Sequence, residues 1–315
     1  MKILVTGGLG AVGSSLVPEL RGRSHHVVSC DLAHQPDEVG FGLNADVSTP
    51  LYARCDISEF RQLDRVFDRL GPFDLVYHCA AEFGRANGED FYESLWRTNV
   101  IGTKNVLRLQ EERRFRLVHF SSSEVYGDWP GPMSEGVMDG KGIWQLNDYA
   151  MTKWVNEMQI RNSALQFGTE SVVVRLFNTY GPGEYYSPYR SAICRFIYCA
   201  LRGIPWTVFR GHTRSSAFVS DTVRTLGNVA EKFRPGEVYN IGGRQLHSME
   251  ELSDIVVRIT GADAALVRPA DSQAMTTQHK RVDLSKAERD LGHRNSVNLE
   301  DGIRLTTEWM RGVYG

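Results

Sequence analysis

The stretch Thr6-Gly7-Gly8-Leu9-Gly10-Ala11-Val12-Gly13 decides how this chain folds. It lies between an apolar run, Lys2 to Thr6, that predicts a short buried strand and a stretch over 11–21 whose apolar spacing predicts a helix. The first glycine suits a tight turn, the second lets a pyrophosphate approach the backbone, and the third lets the helix pack close to the sheet. Glycines at this spacing also occur in flexible turns, but the strand and helix around them favour a dinucleotide-binding turn. The predicted contacts are Gly7, Gly10, Ala11, Val12 and Gly13.

An acidic residue follows about 20 residues later, at the end of a strand predicted over 26–30. A carboxylate at Asp31 can accept hydrogen bonds from both hydroxyls of an adenosine ribose, and it repels a 2′-phosphate. Leu32 comes next and no arginine is adjacent, so the sequence favours NAD over NADP as the cofactor. Asp56, followed by Ile57, suits contact with the adenine edge and suits the start of a helix predicted over 59–70 equally well.

Strands and helices alternate along the first half of the chain, which predicts parallel strands covered by helices on both faces. Further strands are predicted over 74–78, 116–121 and 171–176, and helices over 92–112 and 149–167. Beyond them the pattern predicts helices over 192–202, 249–260 and 299–311 and strands over 206–209 and 238–241. The fold class is therefore α/β, a Rossmann-type doubly wound parallel sheet with a smaller C-terminal α/β lobe that binds the substrate. Residues 1–175 are the predicted NAD-binding domain, and 176–315 form mainly the smaller lobe, with some segments returning to the first domain.

Composition excludes several classes of function. With 315 residues, 42% hydrophobic, the chain can bury a sizeable core, and its formal charge of -2 offers no net positive field for nucleic acid. No apolar run approaches the roughly 18 residues that a membrane span needs. Five cysteines without a CxxC pair, and no leader before Met1, predict a cytoplasmic protein. The adjacent His25 and His26 point in different directions, so no metal site is predicted.

Tyr149 and Lys153 stand four residues apart at the start of a predicted helix, so their side chains share one face. A nearby ammonium and an oxidised nicotinamide both favour phenolate, so the pair can act as a base near neutral pH. The same spacing is common on solvated helix faces, but its place after a dinucleotide turn favours catalysis. Ser122 follows a central predicted strand, where its hydroxyl can bond a substrate alkoxide, whereas Ser121 and Ser123 also suit turn chemistry.

These residues resemble the extended short-chain dehydrogenase/reductases, in particular the NAD-dependent nucleotide-sugar epimerases and dehydratases. The resemblance runs nearly the whole length of the chain. It is carried by residues 6–13, Asp31, Cys55-Asp56-Ile57, His78-Cys79-Ala80-Ala81, Asn99, Ser121 to Gly127, Tyr149 to Lys153, Arg175-Leu176-Phe177-Asn178, Tyr180-Gly181-Pro182, Arg214 and Phe218-Val219-Ser220-Asp221.

The resemblance implies that a retained NAD removes hydride from C4 of a nucleotide-linked hexose and later returns it. It implies that Tyr149 is the base, that Lys153 lowers its pKa and binds the nicotinamide ribose, and that Ser122 holds the C4 oxygen. Asn178 and Arg214 match positions that meet the substrate diphosphate, a task that suits a guanidinium. Homodimerisation through two helices, here 92–112 and 149–167, is usual in the family. Further cofactor contacts are assigned to Ala80, Ala81, Asn99 and Ser121, and a further substrate contact to Ser123.

The loop over 183–190 is unusually aromatic and departs from the family's familiar loops. Its tyrosines suit packing against the nucleotide base somewhat better than service as a second acid or base. Tyr185 and Arg190 are the predicted substrate contacts in this loop.

Glu124 is the candidate for chemistry at C5 of the sugar. Once C4 is a ketone, the C5 proton becomes acidic, and a carboxylate can start elimination at C6 or inversion at C5. The Ser-Ser-Ser-Glu run resembles that of GDP-mannose dehydratases and UDP-glucuronate decarboxylases, although Glu124 also suits a turn cap. Ser123 stands where dTDP-glucose dehydratases carry an Asp that protonates the departing hydroxyl.

The sequence places epimerisation slightly ahead of 4,6-dehydration, with decarboxylation third. Epimerisation is the commonest outcome in this branch of the family, and the Asp of the dTDP-glucose type is absent. A net oxidoreductase that releases NADH and a non-catalytic NAD-binding regulator are the remaining alternatives. Intact Tyr149, Lys153 and Ser122 count against the regulator.

Overall fold

The computed structural model describes residues 1–34, 51–272 and 275–315. Its strands are β1 (Lys2–Thr6), β2 (His26–Asp31), β3 (Tyr52–Arg54), β4 (Leu75–His78), β5 (Arg116–Ser122), β6 (Ser171–Leu176), β7 (Thr179–Tyr180), β8 (Trp206–Phe209), β9 (Thr213–Ser215), β10 (Ala217–Phe218), β11 (Val238–Ile241), β12 (Leu246–Ser248) and β13 (Val267–Ala270). Its helices are α1 (Gly13–Gly22), α2 (Phe60–Leu70), α3 (Arg85–Asp90), α4 (Tyr92–Trp96), α5 (Gly102–Arg113), α6 (Val137–Gly140), α7 (Asp148–Phe167), α8 (Ala192–Arg202), α9 (Val219–Glu231), α10 (Met249–Thr260), α11 (Ser285–Leu291) and α12 (Leu299–Tyr314).

Among the described residues, seven strands form one parallel sheet in the order β11-β6-β5-β4-β1-β2-β3. The chain runs outward from β1 to β3 and then crosses back to β4, so the strand order reverses between β1 and β4. Doubly wound sheets bind their ligands at this point, outside the carboxyl ends of the strands. The predicted Rossmann-type fold is confirmed.

Each face of the sheet has its own apolar core, because successive residues of a strand point to opposite faces. Along β1, Ile3 and Val5 pack on one face with Leu16 of α1, whereas Leu4 packs on the other face with Leu63 of α2. Both helices cover the sheet beside the β1 carboxyl end, which fixes the position of the glycine-rich turn.

The smaller lobe is built from α8, α10 and α12, which pack together, with α8 and α10 also against β8. Strands β8 and β13 pair in parallel, and β9 pairs antiparallel with β12. Within the three described stretches, no helix is both long enough and apolar enough to span a bilayer.

Several elements differ from the sequence-based expectation, and short ones such as β3, β13 and α11 have no predicted counterpart. The sequence listed 238–241 among the elements of the smaller lobe, whereas β11 is an edge strand of the main sheet beside β6. The helix predicted over 92–112 is α4, a π-helical turn over Arg97–Ile101, and α5. Helix α9 also has no predicted counterpart, although its buried Val219, Val223, Leu226 and Ala230 recur at helical spacing.

Candidate active site

The glycine-rich turn joins β1 to α1 at the point where the strand order reverses. The backbone N–H groups of Gly7 and Gly8 donate to the carbonyl of Cys30, at 2.7 and 3.1 Å. Gly7 has a φ of +71°, and a Cβ added at Gly13 would lie 2.1 Å from the Gly7 oxygen. Only glycine at 13 lets the helix begin this close to the turn.

Asp31 ends β2 next to this turn. Its Oδ2 accepts a 3.0 Å hydrogen bond from the N–H of Leu9, and its Oδ1 accepts one of 3.2 Å from the N–H of Ala33. Each carboxylate oxygen keeps a lone pair for a further donor, so both can still meet a ribose hydroxyl. The carboxylate is therefore oriented before any ligand arrives.

Asp56 forms the turn that precedes α2, and its contact with the adenine stays a prediction. Its Oδ1 accepts hydrogen bonds from the N–H and the hydroxyl of Ser58, at 2.9 and 2.7 Å, which forms a tight turn ahead of α2. The residue also lines the cleft beside the glycine-rich turn.

That cleft has a volume of about 520 Å³ and extends from the glycine-rich turn to residues of the smaller lobe. Most of the predicted site residues line it. They are Gly7, Gly10, Ala11, Val12, Gly13, Asp31, Leu32, Asp56, Ile57, Ala80, Ala81, Ser121, Ser122, Ser123, Glu124, Tyr149, Lys153, Asn178 and Arg190.

Tyr149 and Lys153 lie on the first turns of α7, whose start is capped by Asn147 through a 2.9 Å hydrogen bond from the N–H of Ala150. Both side chains are almost fully buried, with 5% of Tyr149 and 4% of Lys153 exposed. The Lys153 ammonium donates a 2.8 Å hydrogen bond to the carbonyl of Phe120 and lies 5.8 Å from the centre of the Tyr149 ring. The hydroxyl of Ser122 bonds Tyr149. These three side chains form one buried polar group, here called the Tyr149 group.

Burial sets the protonation states of this group. It raises the pKa of Tyr149 above its usual value, the hydrogen bond with Ser122 acts against this rise, and the negative charge of Glu124 adds to it. Burial lowers the pKa of Lys153 to about 8, against the opposing influence of Cys79 and Glu157. Lys153 therefore still carries its charge at pH 7, whereas Tyr149 needs a further positive charge nearby to ionise.

A buried ion pair holds α7 against the sheet. Arg175 of β6 donates to both carboxylate oxygens of Glu157, at 3.0 and 2.7 Å, and the hydroxyl of Ser121 donates to the same carboxylate. The Ser121 side chain is thus engaged in positioning α7, although the residue lines the cleft.

A second ion pair lies in the cleft itself and was not predicted. The Lys280 ammonium donates to the Glu124 carboxylate, and their side chains are only 6% and 17% exposed. Burial acts to raise the pKa of Glu124, but the positive charges of Lys280 and Arg214 outweigh it and hold that pKa below its usual value. Lys280 follows Glu124 by 156 residues in a stretch without a motif, so no local signal in the sequence could find it.

Three predicted contacts are not among the residues that line the cleft. The side-chain amide of Asn99 bonds the backbone N–H and carbonyl of Glu82, at 2.8 and 3.0 Å, and so shapes the cleft wall. Tyr185 is 54% exposed, and its ring packs against Trp309 of α12 with centroids 5.2 Å apart. Arg214 donates to the carbonyl of Gln278 at 2.9 Å, behind Lys280 and Glu124.

The other tyrosines of the 183–190 loop also pack on the protein. The Tyr186 ring stacks on Tyr198 at 3.6 Å, and the Tyr189 hydroxyl donates to Asp90 at 2.8 Å. Glu184, which was not predicted as a contact, accepts hydrogen bonds from the N–H and hydroxyl of Ser191 and lines the cleft. These contacts fold the loop so that Arg190 borders the cleft.

Comparison with known proteins places this geometry in context. The profile of the NAD dependent epimerase/dehydratase family matches residues 3–242. The chain is 28% identical to a UDP-N-acetyl-alpha-D-glucosaminuronate decarboxylase of Bacillus cytotoxicus, over 99% of this chain and 98% of the relative. It is 31% identical to a dTDP-glucose 4,6-dehydratase of Streptomyces niveus, over 99% and 93%. The crystal structure of UDP-glucuronic acid 4-epimerase from Bacillus cereus, in complex with UDP-glucuronic acid and NAD, matches with a TM-score of 0.84 and 26% identity over 100% of both chains.

Proposed function

We propose a reaction for this chain, which belongs to the NAD dependent epimerase/dehydratase family: it converts a nucleotide-linked hexose through a ketone formed at C4. The observation that carries the proposal is the Tyr149 group, buried in one cleft with the glycine-rich turn and Asp31. A base, a cation and a hydroxyl donor are the groups that oxidation of a secondary alcohol needs.

The cleft fits NAD. The backbone at Gly10, where an added Cβ would meet only the Gly7 oxygen at 3.2 Å, suits the pyrophosphate, and the oriented Asp31 suits the adenosine ribose. When bound, NAD supplies the acceptor for the C4 hydride and later its donor. We assign the nicotinamide ribose to Lys153 and Tyr149.

The chain's own residues handle the proton of the C4 hydroxyl. Ser122 bonds the C4 oxygen, and Tyr149 accepts its proton as a phenolate. The Lys153 ammonium, close to the Tyr149 ring, stabilises that phenolate. Asn178 and Arg190 border the cleft, where they suit the diphosphate of the substrate.

The Glu124–Lys280 pair favours a reaction at C5 over inversion at C4. Inversion at C4 uses only the Tyr149 group and leaves this buried pair without a role. Elimination across C5 and C6 uses Glu124 as a base, so we place 4,6-dehydration ahead of the epimerisation that the sequence slightly favours. Several relatives are dTDP-glucose 4,6-dehydratases.

We also propose a homodimer that forms through α4, α5 and α7. Met151, Met158 and Leu165 follow one another at seven-residue spacing on α7, are all exposed and therefore share one face. Tyr92 and Ile101 add exposed apolar surface on the neighbouring segment. The free thiols of all five cysteines suit the reducing cytoplasm predicted from the sequence.

A panel of UDP-, GDP-, dTDP- and CDP-hexoses in heavy water tests the reaction by mass spectrometry. We expect one of them to yield a product lighter by one water that carries deuterium at C5. Tyr149→Phe should slow this conversion by about 10²- to 10⁴-fold, the usual loss of a proton-transfer group. An isomer of unchanged composition would support epimerisation instead. No conversion of any hexose, with wild type and Tyr149→Phe alike, would support the NAD-binding regulator.

A further inference from the structure

We propose that Lys280 is the catalytic acid that protonates the departing C6 hydroxyl while Glu124 removes the C5 proton. The proposal rests on the function proposed above and names the residue that completes it. Ser123 stands beside Glu124 in the cleft, and a serine hydroxyl is a poor proton donor. An acid for the leaving oxygen must therefore come from elsewhere in the cleft.

The position of Lys280 meets the geometric need of an elimination. The C5 proton and the C6 oxygen sit on neighbouring carbons, so the base and the acid must lie side by side. The ammonium of Lys280 and the carboxylate of Glu124 are in direct hydrogen-bond contact, and both residues line the cleft with Tyr149.

Three hydrogen bonds hold the segment before Lys280 in place. The Thr277 hydroxyl donates to the carbonyl of Gly127 at 2.7 Å, and the Gln278 carbonyl accepts from Arg214 at 2.9 Å. The hydroxyl of Thr276 accepts a 2.8 Å hydrogen bond from Arg85. These hydrogen bonds fix the backbone before Lys280 beside the segment that carries Glu124.

The step balances in atoms and charge. The C5–H bond breaks and its proton goes to Glu124, its electron pair forms the C5–C6 double bond, and the C6–O bond breaks. The oxygen takes its proton from Lys280 and leaves as water. Glu124 and Lys280 begin as an ion pair and end as two neutral groups, so the net charge buried at this place stays the same. No oxidant or reductant takes part in the step.

Burial makes Lys280 a better proton donor. It lowers the pKa of Lys280, and the positive charge of Arg214 lowers it further, against the opposing influence of Glu124. When Glu124 takes the C5 proton, that opposing negative charge disappears, which makes Lys280 a stronger acid when the leaving oxygen needs a proton.

Lys280→Arg and Lys280→Met test the proposal on the full chain with its NAD. Arginine keeps the charge beside Glu124 but does not release its proton. We expect Lys280→Arg to keep C4 oxidation, seen as absorbance of reduced nicotinamide, and deuterium exchange at C5 of recovered substrate. Loss of water should fall by about 10²- to 10⁴-fold. Lys280→Met should eliminate water from the sugar no faster than Lys280→Arg does, since methionine has no proton to give.

A 6-deoxy-6-fluoro hexose provides a second readout, because fluoride departs without a proton. We expect Lys280→Arg to eliminate fluoride at close to the wild-type rate while it barely eliminates water. A residue that only positioned Glu124 would not produce this difference between leaving groups.

Two results would overturn the assignment: loss of water within a few-fold of wild type in Lys280→Arg, or equal defects with the fluoro and the hydroxy sugars. Failure of the proposed function has a separate signature, since wild type itself would then release no water from any hexose. The bound NAD content of each variant reports whether it has folded.

Discussion

At the scale of single residues, the chemistry depends on how the protein balances burial against a few polar contacts. Burial raises the pKa of Tyr149, because a phenolate without water around it is unfavourable. The Ser122 hydroxyl is the contact that works against this rise, and Lys153 supplies a cation whose pKa of about 8 keeps it charged at neutral pH. The pH dependence of the reaction follows from these contacts.

Ser122→Ala should shift that pH dependence. The variant removes the hydrogen bond that opposes the rise in the pKa of Tyr149, so less phenolate exists at neutral pH. We expect oxidation of C4 to slow by about 10- to 100-fold at pH 7, the cost of a hydrogen bond to a charged group, and to recover partly as the pH rises. Single-turnover formation of reduced nicotinamide across the pH range measures this. Tyr149→Phe, which cannot ionise, should show no recovery, and an equal loss in Ser122→Ala at every pH would limit Ser122 to holding the substrate.

Asp31→Ala should change cofactor choice. The substitution removes two ribose acceptors and the charge that repels a 2′-phosphate, so NAD binding should weaken by about 10- to 100-fold while NADP binding weakens less or improves. Titration of the NAD-free protein with each cofactor gives the two dissociation constants. Asp31→Asn, which keeps the shape but not the charge, separates the two effects. An unchanged ratio of the constants would contradict the role of Asp31.

At the scale of elements, the β1-turn-α1 unit is the most demanding piece of the fold. A Cβ at Gly13 would meet the Gly7 oxygen at 2.1 Å, whereas one at Gly22, in the same helix, would meet nothing within 4 Å. The two glycines therefore form a matched pair in which only the first is required by packing.

Gly13→Ala should lower the free energy of unfolding by about 1–3 kcal/mol, because the turn must move to admit the methyl group. Gly22→Ala should leave it unchanged or raise it by up to about 1 kcal/mol, since alanine loses less conformational entropy. Denaturant unfolding and NAD binding measure both variants. Equal stability and equal NAD affinity in the two would show that the turn tolerates a side chain.

The sequence predicts those elements whose signals are local. The glycine spacing, Asp31 and the Tyr149-to-Lys153 interval each lie within a single turn or strand end, and all of these residues line the cleft. Helix α9 carries the same kind of local signal, since its buried apolar residues recur at helical spacing, and it was overlooked. Strand β11 was listed with the smaller lobe because a short apolar run does not say which sheet it joins. Lys280 was missed because it meets Glu124 only through the fold.

At the scale of the whole molecule, the exposed apolar face of α7 predicts how two chains meet. Leu165 is 78% exposed, and a Leu165→Glu variant would place a charge in the proposed interface. We expect light scattering to show a dimer for wild type and a monomer for Leu165→Glu at the same concentration. A wild-type protein that stays monomeric at micromolar concentration would contradict the proposed interface.

The central claim is that hydrogen leaves C4 of the sugar and returns to the same molecule after water is lost. The most direct test uses the hexose selected by the panel with deuterium on C4, followed by magnetic resonance of the product. The account predicts a product lighter by one water that carries this deuterium on C6. Deuterium that remains on C4, or that leaves with a released reduced cofactor, would contradict it.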